Sequence, residues 1–282
     1  MTSPDQSLAE RLGHEPSTPL LILTVDGLGV SHASTSACYE ALRGGLASSA
    51  ALQVPCPWAR HAAASYEGED VGVSLTAISE LERFRWGPIT WAPSLLDGDG
   101  GFPRTAEDLW DHADVDEVRR ECRAQVERAA LWGVDVTHLS VHLDALCLRP
   151  EFSDVVLELA LDERLPVRLP PEAALAGAGF PLRELAAAEG IVSPDRTVSA
   201  GRGRSSRDVL KSLLVERPAG VTELVITPAS DTPELRAITE GFAAQTDDLR
   251  LVTSDGGVAS ALAHAGVVVT GYRALRDVMR SG

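Results

Sequence analysis

Two stretches carry the residue types that do chemistry. Asp26 ends the apolar run Leu20–Val25 and is followed by Gly27-Leu28-Gly29. Further on comes Thr137-His138-Leu139-Ser140-Val141-His142-Leu143-Asp144. Strand alternation would put His138, Ser140, His142 and Asp144 on one face, and Leu139, Val141 and Leu143 on the other. An imidazole and a carboxylate at a strand end could bind a divalent cation or share a proton. The same pattern also suits a histidine hydrogen-bonded inside a polar barrel layer. His32 follows Asp26 and opens a predicted helix, where it could face the mouth of the fold or stand in solvent. His61, His112 and His264 fall on predicted helices and read as surface or packing residues. Gly201-Arg202-Gly203-Arg204 could meet an anion, but it lacks the strand–loop–helix context of a phosphate loop. G-x-S-x-G, H-E-x-x-H and G-x-G-x-x-G are absent as usable motifs, which disfavours serine-nucleophile, zincin and dinucleotide chemistry.

The elements that must position these residues alternate along the chain. Predicted strands are Leu20–Val25, Ser49–Val54, Val71–Leu75, Val136–Val141, Val167–Leu169, Glu223–Thr227, Leu249–Val252 and Val267–Thr270. Amphipathic helices are predicted at Ser34–Arg43, Trp58–Tyr66, Val115–Trp132, Glu151–Glu163, Ser206–Glu216, Pro233–Gln245, Val258–Ala265 and Arg273–Arg280. Regular alternation implies a parallel sheet with helices outside it. Seven or eight such units point to a closed α/β barrel, whose chemistry sits at the carboxyl ends of the strands. Asp26, His142 and Asp144 all fall at such ends. Two segments interrupt the alternation. Ala77–Ala113 holds Trp86, Trp91 and Trp110 and is either a rim over the mouth or a packed cap on the barrel wall. Gly177–Arg204 is rich in Gly and Arg.

Composition narrows the function class. The chain has 282 residues, 44% of them hydrophobic, enough for one large α/β domain. Lys+Arg of 25 against Asp+Glu of 41 gives a net charge of −16, which argues against nucleic acid and anionic membranes as partners. Cys38, Cys56, Cys122 and Cys147 show no C-x-x-C spacing and read as buried thiols of a reducing compartment. The polar stretch Met1–Pro19 has no apolar core of a signal peptide, and no apolar run reaches membrane-spanning length. The expected organisation is a flexible segment over 1–18 and a single barrel domain over 19–282, in the cytoplasm.

Six segments in order resemble one known family, the YdjC-like carbohydrate deacetylases of the chitooligosaccharide type. Thr24-Val25-Asp26-Gly27-Leu28-Gly29 is similar to that family's N-A-D-D-F-G, and Gly72-Val73-Ser74-Leu75-Thr76 to its G-V-H-L-T. Ser94-Leu95-Leu96-Asp97-Gly98-Asp99-Gly100-Gly101-Phe102 resembles S-L-x-D-x-D-G-x-F, and Thr137–His142 resembles T-H-L-D-S-H. Arg168-Leu169-Pro170 matches an R-x-P element, and Gly220–Pro228 resembles G-x-x-E-x-x-x-H-P. The ending, Leu251–Ser254 through Gly271-Tyr272-Arg273, also follows the pattern.

The resemblance implies a distorted (β/α) TIM-like barrel of parallel strands. It implies metal-dependent removal of an acetyl group from an N-acetylated sugar, with Mg or Zn as the cation. The metal polarises the acetamide carbonyl and activates water, a carboxylate takes the proton, and an imidazole serves the leaving amine. Asp26 corresponds to the base. The partner Asp is Gly27, the first ligand His is Ser74, and His142 is the remaining ligand. The strand Asp is Ser140, the next His is Asp144, and the late His before Pro is Thr227. Gly offers no side-chain ligand, and a Ser hydroxyl replaces imidazole poorly.

Three readings follow. The site is a hydrolase rebuilt around Asp26, His142 and Asp144, with His32 as a helper; or the chain is an inactive member that binds sugar or regulates; or Asp26 and His142 form a metal-free acid–base pair on a different substrate. The expected partner is a small carbohydrate, with Gly27, Ser74, Ser140, Arg168 and Thr227 around the pocket. The cofactor is a divalent cation or none, and a homodimer is compatible with the sequence.

Overall fold

The computed structural model describes residues 6–200, 204–253 and 256–281. Leu20-Leu21-Ile22-Leu23-Thr24-Val25 has no polar face to offer solvent, so it forms a strand covered on both sides. It is the centre of β1 (Pro19–Leu28), and its residues from Leu20 to Val25 are all buried. β2 (Ser49–Leu52), β3 (Val71–Leu75) and β4 (Val136–Val141) follow on one side. β5 (Arg196–Ser199) and β6 (Gly220–Ile226) lie on the other. The spatial order is β4-β3-β2-β1-β6-β5, and every pairing is parallel. The short β7 (Val268–Thr270) pairs with the first half of β1.

The arc between β4 and β5 is spanned by irregular chain. Leu139 donates to the Pro166 carbonyl at 2.9 Å, Arg168 to Leu139 at 2.8 Å, and Val167 to Val192 at 3.0 Å. The 166–170 segment is therefore a stave bonded to β4 on one side and to the approach of β5 on the other. The result is the single α/β domain of a distorted TIM-like barrel. Helices such as Val115–Leu131 and Pro150–Glu163 cover its outside.

Several elements differ from the sequence reading. Val167–Leu169 makes one bridge, Leu139 to Val167, rather than a strand. Pro166 and Pro170 flank it and lack the amide a ladder needs. Leu249–Val252 belongs to the helix Phe242–Thr253, with Leu251 and Val252 buried. The expected helix Pro233–Gln245 stops at Ile238, and a turn in which the Gly241 amide donates to Thr239 Oγ1 (3.0 Å) separates it from the next. The Gly- and Arg-rich segment contains the helix Leu182–Ala188 and β5 itself. Within the N-terminal segment, Leu8–Arg11 form one helical turn capped by Ser7, and Ala9 is buried against Leu20, Ile22 and Tyr272. Gly201-Arg202-Gly203 lies outside the described residues.

The tryptophan segment packs as a cap on the wall beside the mouth. Trp86 is buried, and its indole N–H donates to the Ile78 carbonyl at 2.8 Å. Trp110 donates to the Ala145 carbonyl at 2.7 Å. Two carboxylates of the Val115–Leu131 helix pin the loop: Glu121 accepts from the Ile89 and Thr90 amides, and Glu117 from Ser94. Arg85 ties it again to Ser79, Asp97 and Phe102. Only Trp91 of the three stands out, at 83% exposure.

All four cysteines are buried free thiols. Among the described residues, no helix is long and apolar enough to cross a membrane. Gly72 in β3 abuts β4 so closely that a Cβ there would overlap the His138 ring and carbonyl. Gly72→Ala should therefore destabilise the fold by about 1–3 kcal/mol through overpacking. Urea unfolding checks this; an unchanged midpoint would refute it.

Candidate active site

β1 delivers Asp26 to the mouth, and the chain turns at once. Its register with β2 shifts between Val25 and Leu28, and Gly27 adopts φ +97°. A side chain there has room, its nearest neighbour being Ser34 Cβ at 3.4 Å, but the backbone angle is one L-residues rarely take. An aspartate at this position would carry backbone strain.

Arg168, from the irregular stave, meets Asp26 in a two-pronged pair. Nη1 donates to Oδ1 at 2.9 Å and Nη2 to Oδ2 at 2.8 Å. Behind Arg168 lies Glu223 of β6, 3.9 Å from Nη1 and 0% exposed. Glu223 accepts from Thr24 Oγ1 and from the Tyr272 hydroxyl, both at 2.6 Å. Burial disfavours the Arg168 charge, yet Asp26 and Glu223 outweigh it and hold its pKa above the ordinary value. Burial pushes the Glu223 carboxyl up despite Arg168 and its two donors. Tyr272 is anchored in turn by His138, whose ring stacks on it with centroids 3.8 Å apart. Burial drives the His138 pKa well down, so its imidazole is neutral. His138 is thus a packing element of the interior.

β4 ends at Val141, and His142–Asp144 form a single tight turn. His142 Nε2 lies 2.8 Å from Glu80 Oε2. Burial raises the Glu80 carboxyl, but the hydrogen bond and charge of His142 prevail and hold it below its ordinary range. The Trp86 ring sits edge-on to His142 at 6.0 Å. Leu143 and Asp144 both have left-handed backbones, φ +50° and +58°. Two consecutive non-glycine residues in that region store strain of the kind found at functional turns. Leu143 is 57% exposed at the mouth. Burial raises the Asp144 carboxyl, and Arg168 opposes the shift.

Two cavities open here, and Asp26, Leu143 and Thr227 line both. One, of about 270 Å³, also has Glu80, His142, Gln53 and Gln245 in its wall. The other, of about 290 Å³, has Arg168, Asp144, Thr197, Ser206 and Asp248. Asp26 and His142 therefore share one cavity, and Asp26 and Asp144 the other. Ser74 and Ser140 pair in register on β3 and β4, both buried, and Ser140 Oγ has no partner. His32 is exposed and packs on Trp58 at 5.0 Å, outside the lining of either cavity.

These donors do not fit the divalent cation that the resemblance implies. Gly27 contributes nothing, and Ser74 and Ser140 contribute only neutral hydroxyls. Both Asp26 oxygens already accept hydrogen bonds from a guanidinium. Among the described residues, no group of three His, Cys, Asp or Glu side chains is placed to hold a metal, so Asp26, His142 and Asp144 do not assemble as one ligand set.

Sequence reasoning singled out neither Glu80 nor the Glu223 network. Glu223 had a signal: an acid in the middle of Gly220-Val221-Thr222-Glu223-Leu224-Val225-Ile226 must be buried with its strand. Glu80 sits in a loop without periodicity and had none.

A carbohydrate deacetylase of Thermus thermophilus is 42% identical over 174 residues, 62% of this chain and 61% of the relative. One from Thermoanaerobacter pseudethanolicus is 24% identical over 265 residues, 91% of this chain and 99% of the relative. The stronger match thus spans about three fifths of that relative's length. Among solved structures, a protein of Enterococcus faecalis described as a candidate cellobiose-phosphate cleavage protein superposes with a TM-score of 0.80 at 22% identity. That alignment covers 92% of this chain and 99% of the other, and it shows the shared fold. The sequence profile of the YdjC-like proteins matches residues 20–262, the span that runs from β1 past the helix bearing Asp248, and on that match the chain belongs to the YdjC-like protein family.

Proposed function

We propose that this chain hydrolyses the acetamide of an N-acetylated carbohydrate, with Asp26 as base and His142 as the proton donor to the leaving amine. The observation that carries this reading is that Asp26 and His142 line one cavity, Asp26 paired with Arg168 and His142 hydrogen-bonded to Glu80. The relatives named carbohydrate deacetylase supply the substrate class.

Arg168 fixes the Asp26 carboxylate in one orientation while leaving lone pairs open to a water in the cavity. Glu80 accepts from His142 Nε2 and so leaves Nδ1 for the reacting nitrogen. Water oxygen bonds to the carbonyl carbon as Asp26 takes its proton. The C–N bond then breaks as the imidazolium gives a proton to nitrogen. Acetate and a free amine leave, and the proton balance between Asp26 and His142 is restored through solvent. No step is assigned to a cation, because the donor set does not suit one.

The test is acetate release from N,N′-diacetylchitobiose by the purified chain, with and without a chelator. Release unchanged within about twofold by the chelator is the expected result. Release abolished by the chelator and restored by Zn or Mg would return a metal to the mechanism. No release from any N-acetylated sugar, with binding retained, would leave the chain a sugar-binding member of the family and overturn the reading.

A further inference from the structure

The cavity on the Asp144 side differs in charge from what a neutral sugar requires. Among the described residues, its wall holds three carboxylates, Asp26, Asp144 and Asp248, against one cation, Arg168. That cation is committed, since both of its terminal nitrogens bond Asp26 and Glu223 draws on it from behind. Asp248 accepts from the Thr227 amide at 3.1 Å and is bonded by the Ser206 side chain. Asp144 accepts no side-chain hydrogen bond from the described residues, though it stands in a strained turn that projects from the end of β4. A separate observation points to a ligand. Thr197 of β5 lines the same cavity, is only 7% exposed, and its Oγ1 has no hydrogen-bond partner. A buried hydroxyl left unsatisfied costs stability unless something else meets it.

We infer that this cavity receives the ammonium group of an amino-sugar unit adjoining the N-acetylated one, so that the preferred substrate is a partly deacetylated, cationic oligosaccharide. The inference rests on the deacetylase reading for its sugar class. Asp144 supplies a carboxylate that accepts no side-chain hydrogen bond among the described residues, Thr197 a hydroxyl for the same unit, and Leu143 lines both this cavity and the one shared by Asp26 and His142.

The experiment compares kcat/KM for acetate release from N,N′-diacetylchitobiose and from its mono-deacetylated counterpart, in the native chain and in Asp144→Asn. Asparagine tolerates a left-handed backbone, so the turn survives the change. A charge-assisted hydrogen bond gives roughly a tenfold or greater preference for the cationic disaccharide. That preference should weaken with added salt and fall to within about twofold in D144N. Preference for the neutral sugar, or a cationic preference that survives in D144N, would overturn the inference. Calorimetry with glucosamine and N-acetylglucosamine tests it without catalysis. Tighter glucosamine binding, lost in D144N and weakened in Thr197→Val, supports it even if neither disaccharide releases acetate. Equal binding of the two monosaccharides refutes it even if both disaccharides are hydrolysed.

Discussion

Arg168→Ala should lower the unfolding free energy by about 3–5 kcal/mol and abolish acetate release. The magnitude follows from the cost of leaving a buried charge without its partner. Arg168 is buried, it bonds both oxygens of Asp26, and it is the cation nearest Glu223, which is wholly enclosed. Removing it leaves two carboxylates facing each other across a small gap. They will respond by taking protons. The Glu223 pKa is already raised above its usual 4.5, and the loss of Arg168 raises it further. A carboxyl with a raised pKa in the folded state stabilises the fold in acid, and that contribution is lost as pH rises through the folded pKa. The R168A deficit should therefore be smallest at low pH and grow as pH climbs above about 4.5. Chemical denaturation across that window measures it. A deficit that does not depend on pH, or one below about 1 kcal/mol, would show that Arg168 is not the counter-charge described here.

Asp26→Asn should behave differently. The side chain keeps its size and Arg168 keeps Glu223 as a counter-charge, so the fold should lose less stability than in R168A, while the group that accepts the water proton is gone. Loss of a general base typically costs 10²–10⁴ in rate, roughly. Substrate affinity should change little, because the rest of both cavities is intact. Single-turnover acetate release alongside calorimetry with a nonhydrolysed sugar separates the two effects. Near-normal turnover in D26N would remove Asp26 from the chemistry. A large loss of binding with turnover otherwise preserved would make it a contact residue instead.

The parts of the fold that were legible in the sequence are those whose burial is uniform. β1 reads clearly because six consecutive residues have no polar alternative. Leu249–Val252 has three apolar residues around an exposed Arg250, yet it belongs to a helix that buries Leu251 and Val252, and a run that short does not reveal its period. β5 escaped because Arg196 and Ser199 are exposed at the sheet edge and the strand has only four residues. Asp26 and His142 were recognisable as strand-end residues. Arg168 was legible as a pocket residue but not as the partner of Asp26, 142 positions away, and Glu80, 62 positions from His142, was not legible at all. Local pattern carries no information about which charge a barrel will fold against which. The cation set implied by the resemblance called for residue types that these positions do not carry, and the coordinates show a guanidinium bonded to both oxygens of Asp26.

The four enclosed cysteines give this protein a built-in chemical reporter. Cys38, Cys56, Cys122 and Cys147 occupy different parts of the barrel, and burial pushes each thiol's pKa upward. Alkylating reagents attack thiolates, so the closed molecule presents almost nothing to react. Labelling then proceeds only as fast as each region breathes open, and peptide mass mapping of the tagged positions would chart the local opening free energies around the barrel without any engineered probe.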